Sequence, residues 1–106
     1  MKNEVKNIFK LPNELPPKEL FETLLDNKIL IEKIISTGQV TPKGEWYDQK
    51  RDEWLIVLQG EGELSYEDGS RIKLTTGDYL LIPAHQKHRV EYTSTEPPCI
   101  WLTIFF

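Results

Sequence analysis

From Ile29 to its end, this chain is dominated by short apolar runs separated by turn residues, and no other feature constrains the fold as much. The runs recur about every ten residues and read, in order, KILIEKIIS, EWLIVLQG, GELSYED, SRIKLTTG, DYLLIPA, HRVEYTS and CIWLTIFF. Glycine and proline lie mostly between them, and YEDGSRI places Asp-Gly between two runs, a strong hairpin signal. Runs and turns at this spacing predict an all-β sandwich or barrel.

The segment LPNELPPKELFETLLDN differs from the rest because its apolar residues recur at helical spacing. Leu20, Phe21, Leu24 and Leu25 share this spacing, and Pro17 could occupy the first turn. We therefore predict a short helix in an N-terminal arm, residues 1–28, that packs on a barrel formed by residues 29–106. At 106 residues, the whole chain is expected to form one domain.

Composition narrows the class of protein. Seventeen acidic and thirteen basic residues give a net charge of −4, which argues against a nucleic-acid partner. No segment approaches the ~20 apolar residues of a membrane span, and MKNEVKNIFK lacks the apolar core of a signal peptide. With a single cysteine, Cys99, no internal disulfide is possible, which suits a reducing compartment. These features predict a cytoplasmic protein without membrane contact.

The last run, CIWLTIFF, is apolar at consecutive positions rather than at alternate ones. Such a strand is either covered on both faces or exposed as an association surface. In a chain of this size we expect the second arrangement, and therefore a homodimer.

Glu53 is an unusual residue to find at the start of an apolar strand. In a strand it shares a face with Leu55 and Val57, so it is expected to point into the core. A carboxylate in an apolar interior must be bound, paired or neutralised, because leaving it ionised and alone costs several kcal/mol. The partner of Glu53 is therefore the main question about function.

Two segments resemble the two motifs of the cupin superfamily. DEWLIVLQGEGEL carries Glu53 and Gly60 with the six-residue gap of the first motif, and TTGDYLLIPAHQKHRVEYT carries Gly77, Pro83 and His88 in the register of the second. The resemblance covers about Ile29 to the C-terminus. It implies a double-stranded β-helix, a jelly-roll barrel, with the His88 face inside.

The same resemblance implies a metal site, from which this sequence departs. Cupins typically hold a divalent metal with two histidines and the glutamate of the first motif plus the histidine of the second. With a three-residue gap, the two missing histidines are replaced by Tyr47 and Gln49. With a four-residue gap, they are replaced by Trp46 and Asp48. In the second motif, His85 replaces a glycine and Tyr92 replaces an asparagine.

Several functions are compatible with this degenerate motif. The first is a small metal-dependent cupin enzyme. Zn, Fe, Mn or Ni would be held by His88, Glu53, His85 and one of Gln49 or Asp48, while Glu53 or Tyr47 would move protons. The alternative is a metal-free binding or sensing module for a small polar ligand. A third possibility is a barrel that serves only as a dimer scaffold. Three aromatic residues are predicted to line the ligand pocket, namely Trp46, Trp54 and Tyr92.

Overall fold

The computed structural model describes residues 3–106 and shows two antiparallel sheets. The strands are β1 (Leu20–Asp26), β2 (Leu30–Ser36), β3 (Glu53–Gln59), β4 (Glu61–Tyr66), β5 (Arg71–Thr75), β6 (Tyr79–Ile82), β7 (His88–Thr93) and β8 (Cys99–Phe105). The larger sheet has the order β1-β2-β8-β3-β6, and the smaller sheet has the order β5-β4-β7. The all-β jelly-roll prediction is confirmed.

The core lies between the two sheets, where the inward faces of the strands meet. Alternation along β3 buries Leu55 and Val57, and alternation along β4 buries Leu64. The buried apolar cluster contains these residues together with Leu74, Ile82, Cys99 and Trp101. Each sheet therefore covers the apolar face of the other.

The helix predicted near residues 17–25 is wrong, because Leu20–Asp26 forms the edge strand β1. This strand pairs antiparallel with β2, and its register shifts between Thr23 and Leu25. The extra residue, Leu24, interrupts the two-residue alternation and produces the apolar spacing that imitates a helix. Across residues 3–106, no helix has the length and apolar character needed to cross a bilayer.

β8 lies between β2 and β3, which explains why both of its faces are apolar. Trp101 and Thr103 face the interior, while Ile100 on the outer face is also fully buried. Part of the outer face is covered by the N-terminal arm, since the buried Lys33 ammonium donates a hydrogen bond to the carbonyl of Lys10 at 2.8 Å. The central position of β8 therefore accounts for much of the apolar pattern.

A bulge in β7 changes the direction of its last residues. β4 pairs Leu64 with Val90 but Glu63 with Tyr92, so Glu91 is an extra residue. Extra residues of this kind reverse the alternation that follows them. Tyr92 consequently points outward and is 47% exposed, whereas Thr93 is buried.

Candidate functional site

A cavity of about 100 Å³ opens between the inner faces of the two sheets. Strands of both sheets contribute to its wall, together with residues that precede β1 and β3. The lining residues are Glu19, Phe21, Glu32, Ile34, Tyr47, Gln49, Glu53, Leu55, Leu64, His88, Val90, Trp101, Thr103 and Phe105.

Glu53 is held at the wall of this cavity by two neighbouring strands. As the first residue of β3, it pairs with Ile82 of β6 on one side and with Phe105 of β8 on the other. The residue is only 5% exposed. Its Oε1 atom is buried and accepts no hydrogen bond from any described residue. Without a well-formed hydrogen bond, a buried carboxylate oxygen is left with an unfavourable desolvation cost.

His88 faces Glu53 across the cavity from the first position of β7. Its Nδ1 lies 2.9 Å from the carbonyl oxygen of Gln86, and its Nε2 lies 3.4 Å from Glu53 Oε1. Because a carbonyl can only accept, Nδ1 carries a proton. A second proton on Nε2 then points towards the Glu53 carboxylate, over a distance too long for a well-formed hydrogen bond.

The protonation of His88 follows from these neighbours. Burial opposes the charged imidazolium, but the Glu53 carboxylate and the Gln86 carbonyl outweigh it, so the pKa of His88 is raised above its ordinary 6.5. The site therefore favours an imidazolium next to a carboxylate.

Tyr47 and Gln49 complete the quartet of positions that the cupin resemblance marks. Tyr47 is tied to His88 by two backbone hydrogen bonds, of 2.8 and 3.1 Å, and their rings stack with centroids 5.6 Å apart. Gln49, two residues later, faces the same cavity. The structure thus selects the three-residue gap, in which Tyr47 and Gln49 take the places of the two missing histidines.

Asp48 and His85 lie away from the cavity and contact each other instead. The His85 Nδ1 is 2.9 Å from Asp48 Oδ1, and the His85 side chain is 66% exposed. His85 has a φ of 65°, the left-handed conformation for which the second motif ordinarily uses glycine. The turn conformation directs its ring towards solvent, so placing His85 and Asp48 beside His88 was wrong.

The three aromatic residues predicted to line the pocket also lie outside it. Trp54 follows Glu53 in β3, so its side chain points to the opposite, outer face of the large sheet. There its ring packs on that of Tyr79, with the centroids 5.5 Å apart. Trp46 is 39% exposed and lies against Arg89. Tyr92 is turned outward by the β7 bulge. Those three assignments to the pocket were wrong because of alternation and the bulge.

The lining residues that the sequence analysis missed include Glu19, Phe21 and Glu32. Assigning residues 17–25 to a helix hid the first two, since the pairing of β1 with β2 brings Phe21 opposite Ile34. The position of Glu32 could have been inferred from the sequence, because Glu32 shares one face of β2 with the apolar residues Leu30 and Ile34. An acidic residue on that face marks the same kind of site as Glu53.

The cavity is strongly acidic. Glu19, Glu32 and Glu53 line it, and His88 is the single basic side chain among the lining residues. Burial, together with the charges of Glu53 and Asp26, raises the pKa of Glu32. Burial and the charges of Glu19, Glu53 and Glu45 likewise raise the pKa of Tyr47, so its phenol stays protonated at neutral pH.

The donor set does not fit a transition-metal site of the usual kind. Such sites use at least three histidine, cysteine or carboxylate ligands, and residues 3–106 contain no cluster of three that could hold a metal ion. At the quartet positions, Glu53 and His88 are good ligands. Gln49 offers a neutral amide oxygen, and Tyr47 offers a phenol that resists deprotonation.

Sequence comparison agrees with this architecture. The family model described as "Cupin domain" matches residues 34–105, which is more than half of the chain. This chain belongs to the cupin family. The matched region of this cupin includes the four site residues Tyr47, Gln49, Glu53 and His88.

Several solved structures resemble this cupin over nearly all of its length. A protein from Ralstonia eutropha JMP134, provisionally named a mannose-6-phosphate isomerase, is 37% identical over 97% of both chains, with a TM-score of 0.90. A cupin superfamily protein from Desulfitobacterium hafniense DCB-2 is 20% identical, covers 90% of this chain and 83% of its own, and has a TM-score of 0.74. An RmlC-like cupin from Desulfovibrio desulfuricans is 18% identical over 98% and 97% of the two chains, with a TM-score of 0.73. The last two comparisons show that those proteins share the fold of this cupin. A search of curated proteins finds no significant match.

Proposed function

We propose that this cupin is a metal-free binding module whose cavity captures a small polar ligand between Glu53 and His88. The observation that carries the proposal is the Glu53 carboxylate in the cavity wall, which is 5% exposed and whose 3.4 Å contact with His88 Nε2 is too long for a well-formed hydrogen bond. Leaving such an oxygen unsatisfied costs at least ~1–3 kcal/mol. A ligand that donates a hydrogen bond to the Glu53 carboxylate recovers part of this free energy on binding.

The neighbouring side chains provide the other contacts that such a ligand needs. The Gln49 amide can both donate and accept, and the Tyr47 phenol stays protonated as a donor. Trp101 and Phe105 supply apolar walls. A few polar groups on an apolar wall are the usual composition of a small-molecule site.

The name of the Ralstonia eutropha relative raises the question of a sugar-phosphate substrate. A phosphate in this cavity would meet Glu19, Glu32 and Glu53, and no lysine or arginine lines the described cavity. Placing like charges together costs free energy in a partly buried site. We therefore do not extend a sugar-phosphate substrate to this chain.

The metal-dependent hypothesis is the rival that an experiment has to separate. Its support is that His88 Nδ1 is held by a backbone carbonyl, an arrangement that metal-binding histidines commonly use. Elemental analysis of the purified protein, and thermal shifts with Zn, Fe, Mn and Ni, test this hypothesis. A chelator-treated sample is then screened against small metabolites.

We expect metal well below one equivalent, and a melting temperature that metabolites raise in the chelator-treated protein. Glu53→Gln should abolish that rise, whereas Glu67→Gln, the same change on an exposed hairpin, should leave it intact. If the protein instead binds one equivalent of metal and Glu53→Gln abolishes that binding, the metal-dependent hypothesis is established.

We also propose that the protein is a homodimer through the outer face of its larger sheet. Beyond the part covered by the N-terminal arm, Tyr79 and Leu81 are 65% and 51% exposed, next to the half-buried Trp54 and Ile104. An exposed apolar sheet face can be covered by a second copy of itself about a twofold axis. Light scattering after gel filtration measures the mass, and Leu81→Glu should yield a monomer.

A further inference from the structure

We infer that the ligand of the cavity is a small organic cation, with an ammonium or amidinium group beside Glu53 and an apolar portion against the aromatic wall. This inference rests on the proposed binding function and names its ligand class. It depends on the charge, the wall and the volume of the cavity.

The charge of the cavity selects a cation. Three carboxylates face one imidazole, so the lining carries an excess of negative charge even when His88 is protonated. The nearby basic residues are engaged elsewhere. Lys33 lies on the outer face of the larger sheet, where its Nζ is 3.3 Å from Glu22 Oε2. Arg89 donates hydrogen bonds to the carbonyls of Pro42 and Thr41.

The carboxylates are not equivalent, and this difference locates the charged group. Glu19 Oε2 accepts a hydrogen bond from Ser36 Oγ at 3.1 Å, and Glu32 is partly exposed. Glu53 is 5% exposed, and its contact with His88 Nε2, at 3.4 Å, is longer than a well-formed hydrogen bond. A cationic ligand in the cavity would give the Glu53 carboxylate the short, charge-assisted hydrogen bond that the 3.4 Å contact with His88 does not supply.

The wall of the cavity suits the organic part of such a cation. Phe21, Tyr47, Trp101 and Phe105 all line it. Aromatic faces attract ammonium and amidinium groups through the ring quadrupole, and they also pack against methyl groups. Hydrated inorganic cations cannot use these apolar surfaces, so the wall favours an organic cation.

The volume limits the size of the cation. At about 100 Å³, the cavity is smaller than the roughly 150 Å³ cavity known to bind benzene. A ligand of only a few heavy atoms fits inside. Phe21 is 49% exposed and so stands at the open side of the cavity, where a longer ligand would extend.

Acetamidinium, acetamide and acetate test the inference, because they share one planar skeleton and differ in charge. Binding to the full chain is followed at neutral pH by calorimetry and by amide NMR shifts of cavity residues. We expect acetamidinium to bind at least about tenfold more tightly than acetate, with acetamide between them. Glu53→Gln should remove most of the preference for acetamidinium, whereas Glu67→Gln should preserve it.

The outcomes separate the ligand class from the binding function itself. Equal or tighter binding of acetate would overturn the cation inference and leave the binding function standing. The same conclusion follows if none of the three probes binds while a neutral or anionic metabolite from the screen does. If neither the probes nor any metabolite binds, both proposals fall. NMR shifts confined to surfaces outside the cavity would also overturn the inference.

Discussion

Gly62 offers a direct test of how the fold shapes the cavity. It lies in β4 and faces the Trp101 indole across the interior, where no room is left for a side chain. A Cβ atom at Gly62 would lie 2.4 Å from both Cη2 and Cζ2 of that indole, about 1 Å inside ordinary contact, which begins at 3.4 Å. The ring is 4% exposed and cannot simply move into solvent.

Gly62→Ala should therefore destabilise the protein by about 1–3 kcal/mol, the usual range for overpacking a core. For a domain of this size, the melting temperature should fall by about 4–12 °C. Because Trp101 lines the cavity, ligand binding should weaken as well. Urea unfolding followed by circular dichroism measures the free energy of unfolding.

A double-mutant cycle with Trp101→Phe identifies the cause of this effect. Phenylalanine lacks the two indole atoms that the new methyl group would meet. Gly62→Ala should then cost less than about 0.5 kcal/mol in the Trp101→Phe background, giving a coupling of at least about 0.5 kcal/mol. An equal cost in both backgrounds would refute this reasoning, and so would a neutral Gly62→Ala in the wild-type background.

Three other expectations concern titration, reactivity and assembly. Because the pKa of His88 is raised in the folded state, its stabilising contribution is complete below about pH 6.5 and is lost as the pH rises through the higher folded value. Urea unfolding on both sides of neutrality should show this decline, and Glu53→Gln should flatten it. Burial, with the charge of Glu19, raises the pKa of Cys99 to about 12, so a thiol reagent should modify it only after unfolding. Leu81→Glu should give a monomer by light scattering, and a dimer that survives it would exclude the outer sheet face as the interface.

The two central site residues were accessible from the sequence because their positions follow local rules. Glu53 shares a strand face with Leu55 and Val57, and the spacing from Pro83 to His88 matches the cupin motif. The structure places both at one cavity, with His88 Nε2 3.4 Å from Glu53 Oε1. Their roles in binding are still predictions.

Two errors arose where a single residue changed the register. Leu24 in β1 and Glu91 in β7 are extra residues that interrupt the alternation. The first made an edge strand resemble a helix and concealed Glu19 and Phe21. The second moved Tyr92 out of the cavity, because a shift of one residue moves a side chain to the opposite face.

By itself, the sequence determined the all-β class, the inward orientation of Glu53 and the cupin register, because alternation and turn spacing are properties of neighbouring residues. Only the tertiary structure decided which residues share the cavity. The pairing of β1 with β2 brings in Glu19, Phe21 and Glu32, and the turn at His85 directs that histidine to solvent. The acidic character of the cavity depends on contacts between residues far apart in the chain. No local pattern encodes it.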